Sequence, residues 1–236
     1  MSKKQTDKVM LSEHVFEARY PAVGSFLDIR GYVADYIKGA CSSLQHWRIS
    51  ENTVDFFDSS NTVKKDGAFV GYKNAGYIVL DSDTHNYFGD KARNYWETLS
   101  KSKYFNISTI QRLGVRTKVF IPLEVEFEKI HSIISDKLFK ADFISSLGGE
   151  SEDMMATVQF KAGEFTLKCH LGPMHKNEAK GFFKFESDEF EKTGLYFDID
   201  CFKNDIGSAK SVGKDVVGAT NLTWEKVEHI ASWLGF

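Results

Sequence analysis

The segment 107–121 constrains the fold most, because apolar and charged side chains alternate along it. One phase is mainly apolar: Ile107, Thr109, Leu113, Val115, Val119 and Ile121. The other phase carries the charges: Arg112, Arg116 and Lys118. A period of two residues is the pattern of a β-strand with one face in the core and one face exposed. We therefore predict a strand here, ended by Pro122.

The remaining patterns predict an α+β protein with antiparallel sheets and helices packed on one side. Strands are expected at 14–20, 46–58, 67–81, 154–161, 164–172, 181–187 and 194–202. Three- and four-residue spacing predicts three helices whose apolar stripes start at Phe26, Phe88 and Phe127, and a closing helix that begins near Thr223. The halves look loosely similar, an N-terminal α+β half over 1–142 and a C-terminal sheet with a closing helix over 154–236. The two halves could also form one continuous domain.

Composition limits the kinds of partner that the chain can have. Thirty basic and 33 acidic residues give a net charge of −3, which excludes a globally cationic nucleic-acid binder. The sequence contains no run of 18 apolar residues, the length that would predict a membrane span. It also lacks the apolar stretch that follows the N-terminal lysines in a signal peptide. Three widely spaced cysteines suit a reducing compartment. We expect a cytoplasmic protein that does not associate with membranes.

Charged side chains on three predicted strands form the candidate binding site. Arg112 and Arg116 leave the same face of their strand about 13 Å apart. Asp198 and Asp200 share a face of a later strand, as do Lys168 and His170 on another. If these strands are neighbours, they line one surface that could bind an anion or a peptide. The alternatives are a metal site built from Asp198, Asp200 and His170, or simple ion pairing across strands.

Other motifs carry less information. The segment 207–214 resembles a phosphate-binding loop, but five residues separate its glycines and Asp215 replaces the required hydroxyl. We therefore predict a surface loop over 203–219. The sequence contains no zinc-binding pair of histidines and no serine nucleophile elbow. Alternation leaves Phe57, Phe182 and Phe202 as candidates for exposed aromatic side chains.

Three motifs resemble those of a sporadically distributed, uncharacterised bacterial family of similar-sized α+β proteins. They are VFEARYPA, IQRLGVRTKVFIP and LYFDIDCF. The matched positions are Glu17, Arg19, Arg112, Gly114, Arg116, Asp198 and Asp200. The chain departs from the family pattern at Thr117, where an aromatic residue is usual. The resemblance implies the α+β fold and a setting in bacterial gene islands for antiviral defence or toxins, but no reaction.

Together these features favour a non-catalytic binding subunit that recognises a protein or peptide partner. The predicted binding residues are Arg112, Arg116, Lys118, Asp198, Asp200 and His170, and no cofactor or metal is expected. One alternative is a metal-dependent hydrolase or nuclease that uses Asp198, Asp200 and His170. A further candidate is a nucleic-acid sensor that uses Arg112 and Arg116. The sequence leaves the oligomeric state open.

Overall fold

A computed structural model describes residues 9–59, 65–82, 84–103 and 106–236. The strands are β1 Leu11–Arg19, β2 His46–Ile49, β3 Thr53–Phe57, β4 Asp66–Gly71, β5 Asn74–Leu80, β6 Arg112–Leu123, β7 Ala156–Ala162, β8 Phe165–Met174 and β9 Thr193–Asn204. The α-helices are α1 Phe26–Ala40, α2 His85–Ser100, α3 Phe127–Leu138, α4 Ala141–Ser146 and α5 Val212–Leu234. Short 3₁₀ helices occupy Glu178–Gly181, Asp188–Glu191 and Ala209–Ser211.

All nine strands belong to one antiparallel sheet, in the order β2-β3-β4-β5-β1-β6-β9-β8-β7. The α+β class and the antiparallel pairing are thereby confirmed. Because β9 pairs with β6 over twelve positions, the predicted N-terminal and C-terminal halves share this sheet. The similarity of the two halves stays a prediction. In the residues described, no helix is long and apolar enough to cross a membrane.

Four helices pack against one face of the sheet. Buried residues of α1, α2, α3 and α5 form one core with the inward phase of the strands. In β6 that phase includes Leu113, Val115, Val119 and Ile121, all fully buried as the alternation predicts. The strand begins at Arg112 and continues past Pro122 to Leu123, so its predicted bounds were too early at both ends.

On the opposite face, the described part of the chain provides one cover, the segment 175–192 near one end. The prediction of a strand over 181–187 is wrong, because this segment forms 3₁₀ helices and irregular chain. Phe183, Phe185 and Phe190 instead pack on Phe120 and Tyr196 in a second, smaller core. Phe182 remains exposed, as the sequence suggested.

Helix α5 begins at Val212, eleven residues before the predicted start, so a loop over 203–219 is also wrong. Gly213 lies where α5 crosses α2, and a Cβ there would stand only 3.1 Å from Cγ of Arg93. The glycine therefore permits close helix packing where its presence suggested a loop. The short helix α4 likewise lies at the boundary between the two predicted halves.

Candidate functional site

The structure brings the candidate charged residues to one surface, the sheet face opposite the helices. On β6 and β9, Arg116 lies opposite Asp200, and Lys118 lies opposite Asp198. On β8 and β9, Lys168 lies opposite Asp200, and His170 lies opposite Asp198. We call the set Arg112, Arg116, Lys168, His170, Asp198 and Asp200 the polar strip.

Two ion pairs fix the centre of the polar strip. Arg116 donates from Nε and Nη2 to the two carboxylate oxygens of Asp198, at 2.8 and 2.6 Å. Arg112 donates from Nη2 to Oδ2 of Asp200 at 2.9 Å. The hydrogen bonds that Arg116 donates to Asp198 raise the pKa of Arg116, so its guanidinium stays charged. Because the Arg116 side chain is 57% exposed and Asp198 13%, we expect this pair to stabilise the fold by about 1 kcal/mol at most.

Gly114 gives the Arg112 guanidinium its place on the sheet. A Cβ at Gly114 would stand 3.0 Å from Nη1 of Arg112 and 3.4 Å from Oδ1 of Asp200. The Arg112 side chain thus lies back over the strand towards Asp200, with its guanidinium 4.7 Å from the Phe202 ring centre. The Arg-x-Gly-x-Arg pattern therefore has a structural basis, since any side chain at the middle position would crowd this pair.

Lys118 helps to hold the segment 175–192 on the sheet. Its Nζ donates to Oε1 of Glu13 at 3.1 Å and to the carbonyl oxygen of Phe182 at 2.6 Å. The other Glu13 oxygen accepts from the backbone N–H of Lys184 at 2.9 Å. Glu13 is nearly fully buried, and sequence reasoning did not identify it. Lys118 thus lies on the predicted face but has a local structural role.

The polar strip continues to the sheet edge at β7. The Nδ1 atom of His170 and the hydroxyl oxygen of Thr157 form a hydrogen bond of 2.8 Å. Gln159 lies opposite Lys168, and Lys161 lies two residues further along β7. Lys161 and Lys168 are exposed, and within the described chain no ion pair involves either of them. Only the register between β7 and β8 places Thr157 and Gln159 here, so the sequence did not point to them.

The carboxylates of the polar strip are occupied by arginine side chains. Among the residues described, no group of three or more His, Cys, Asp or Glu side chains could hold a metal ion. The buried thiols of Cys169 and Cys201 belong to the opposite, helix-facing side of the sheet. Burial raises the pKa of each thiol to about 12, which keeps both in the unreactive protonated form.

A second polar group lies inside the core, between the sheet and α2. His14 Nε2 is 3.0 Å from the Ser12 hydroxyl, and Nδ1 is 2.9 Å from the Thr117 hydroxyl. The Ser12–His14 contact has the geometry of a nucleophile and its base, but all three residues are fully buried. Because no substrate can reach them, we assign them a structural role. Thr117 shares a hydrogen bond with His14.

The segment 207–214 lies beside a cavity between α2 and the start of α5. This cavity of about 570 Å³ is lined by Lys210 and Lys214 together with Arg93, Glu97 and Lys101. Asp215 does not line this cavity, and its Oδ1 accepts from Lys203 at 2.8 Å. Lys214 is the third residue of α5 and lies in the first turn of this helix, where the sequence predicts a loop.

A scan against protein-family models and a search of curated proteins found no match to this chain.

Proposed function

We propose that the protein is a non-catalytic binding subunit that recognises a protein or peptide partner with the polar strip. The observation that carries the proposal is the one-sided arrangement of the helices. As far as the described residues show, this arrangement leaves the opposite face accessible beyond the segment 175–192. Ion pairs already hold the arginine and aspartate side chains of this face. These side chains would therefore lose little conformational entropy when a partner binds.

The chemistry of the polar strip supports recognition rather than catalysis. Asp198 and Asp200 already accept hydrogen bonds from Arg116 and Arg112, which lowers their value as bases or metal ligands. The nearest cysteines, Cys169 and Cys201, face the core. The hydrolase that the sequence leaves open would require both ion pairs to break.

The charge of the polar strip favours a protein partner over a nucleic acid. Three cationic side chains stand against two carboxylates, a net charge of +1 with His170 neutral. Nucleic-acid affinity comes mostly from cations that neutralise several phosphates. Here the guanidinium groups of Arg112 and Arg116 are already neutralised by aspartates. A gene island for defence or toxins remains the setting suggested by the resemblance.

Charge reversal on the polar strip tests this proposal. The protein is co-expressed with the products of neighbouring genes, and complexes are isolated by affinity capture and size exclusion. Lys168→Glu should weaken partner capture by about tenfold, because it places a carboxylate beside Asp200 and repels an acidic partner. Lys129→Glu on the exposed side of α3 is the matched control and should bind as the wild type does. A protein without any partner, or equal binding by both variants, would overturn the proposal.

A further inference from the structure

The strand β7 offers an open sheet edge beside the polar strip. Among the strands that the structure describes, it is the last of the sheet and pairs with β8 alone, over seven consecutive positions. Thr157, Val158 and Gln159 are exposed in succession. In the described ranges no other backbone hydrogen bond reaches residues 156–162. The outer N–H and C=O groups of β7 are therefore available to a further strand.

The usual protections of an edge strand are weak at β7. Natural sheets protect their edges with very short strands, charged side chains (above all lysine), prolines, bulges or inward-pointing charges. The opposite edge fits this rule, since β2 has only four residues. By contrast, β7 has seven residues without proline, and its register with β8 is free of bulges. Its one charged side chain is Lys161.

The two sides of β7 differ in chemistry. On the helix-facing side, Val158 is 53% exposed and Phe160 is half-buried. The open side presents Thr157, Gln159 and Lys161, with Lys168 on the neighbouring strand. An added strand would therefore meet apolar side chains on one face and two lysines on the other.

We infer that a partner protein adds an extended segment to the sheet beside β7. In this segment apolar and acidic residues alternate. This inference rests on the proposed function and names its partner class. Main-chain hydrogen bonds to β7 supply affinity in this mode of recognition, and alternate side chains supply specificity. Apolar residues of the segment lie beside Val158 and Phe160, and its acidic residues pair with Lys161 and Lys168.

Synthetic peptides test strand addition on the full-length protein. The probe is a soluble, capped heptapeptide of alternating valine and glutamate with a fluorescent label, and binding is followed by anisotropy. In an added strand, the N–H groups of alternate residues face the sheet, and the others face solvent. Methylation of one alternate set of peptide nitrogens should weaken binding by about tenfold or more, because several hydrogen bonds are lost. Methylation of the other set should change binding much less.

Protein variants test the side-chain part of the inference. Lys161→Glu should weaken binding of the valine–glutamate peptide about tenfold. The same variant should improve binding of a second probe, a capped heptapeptide of alternating valine and lysine. The control Lys129→Glu should leave both affinities unchanged. Equal effects of the two methylated peptides, or no dependence on peptide charge, would overturn strand addition.

Val158→Arg separates this inference from the proposed function, because Val158 lies outside the polar strip. If Lys168→Glu releases the natural partner but Val158→Arg does not, the polar strip binds the partner without strand addition. A dimer of the protein itself that Val158→Arg dissociates, measured by light scattering, would assign the β7 edge to a second copy and would also overturn the inference.

Discussion

The buried histidine of β1 predicts how the stability of the protein depends on pH. His14 is fully buried, is hydrogen-bonded to Ser12 and Thr117, and stacks on Phe88 at a ring separation of 4.8 Å. Burial, and to a lesser extent the nearby charge of His85, lowers its pKa from 6.5 to about 3. The folded protein therefore holds His14 neutral throughout the mildly acidic range.

The magnitude follows from proton linkage. Between pH 6.5 and pH 3 the unfolded chain binds a proton at His14 that the folded chain does not bind. The free energy of unfolding therefore decreases as the pH falls through this range. With these two pKa values, the decrease due to His14 between pH 7 and pH 5 is about 2 kcal/mol.

Urea unfolding at pH 7 and pH 5 measures this effect. His14→Gln should remove about 2 kcal/mol of the difference in unfolding free energy between the two pH values, whatever its own effect on stability. His229→Gln replaces an exposed histidine and should keep the wild-type pH dependence. Nuclear magnetic resonance should show that the His14 ring of the folded protein does not titrate above pH 5. Identical pH dependence in all three proteins would refute the reasoning.

Three further predictions concern the sheet. Gly76→Ala should destabilise the protein by about 3 kcal/mol in urea unfolding, because a Cβ there collides with the β1 backbone. The control Gly24→Ala places its Cβ in open space and should leave the free energy of unfolding nearly unchanged. Native Cys201 should resist iodoacetamide at pH 8 and react after denaturation, and rapid native labelling would contradict its burial. A double-mutant cycle on Arg116 and Asp198, each changed to alanine, should give a coupling of about 0.5–1 kcal/mol, and a value of zero would show that solvent screens the pair completely.

The sequence predicted the faces of the central strands well, because alternation alone determines which side chains point to the core. The buried phase of β6 and the charged phase of β9 are both as expected. The diagonal contacts Arg116–Asp198 and Arg112–Asp200 could not be predicted. A shift of two residues in the register between β6 and β9 keeps every side chain on the same face but changes each ion pair.

The errors arose where local composition and long-range packing disagree. The start of α5 contains glycines and lysines that are typical of loops, but Gly213 is selected by contact with α2. The aromatic residues of 181–187 resemble a strand, yet Phe183 and Phe185 both pack on the open face of the sheet. Both outcomes depend on contacts between residues far apart in sequence, which a local pattern does not contain.

The ion pairs of the open face have a further consequence for specificity. Exposed pairs contribute little to stability, so an apolar face could fold equally well. An apolar face of this length would, however, associate with many other surfaces. The paired charges of Arg116 and Asp198 make nonspecific stacking unfavourable, since each charge would lose its solvent. In the recognition that we propose, a partner with complementary charges and an extended backbone for β7 would compensate that loss, so the polar strip and the β7 edge would act together as one surface.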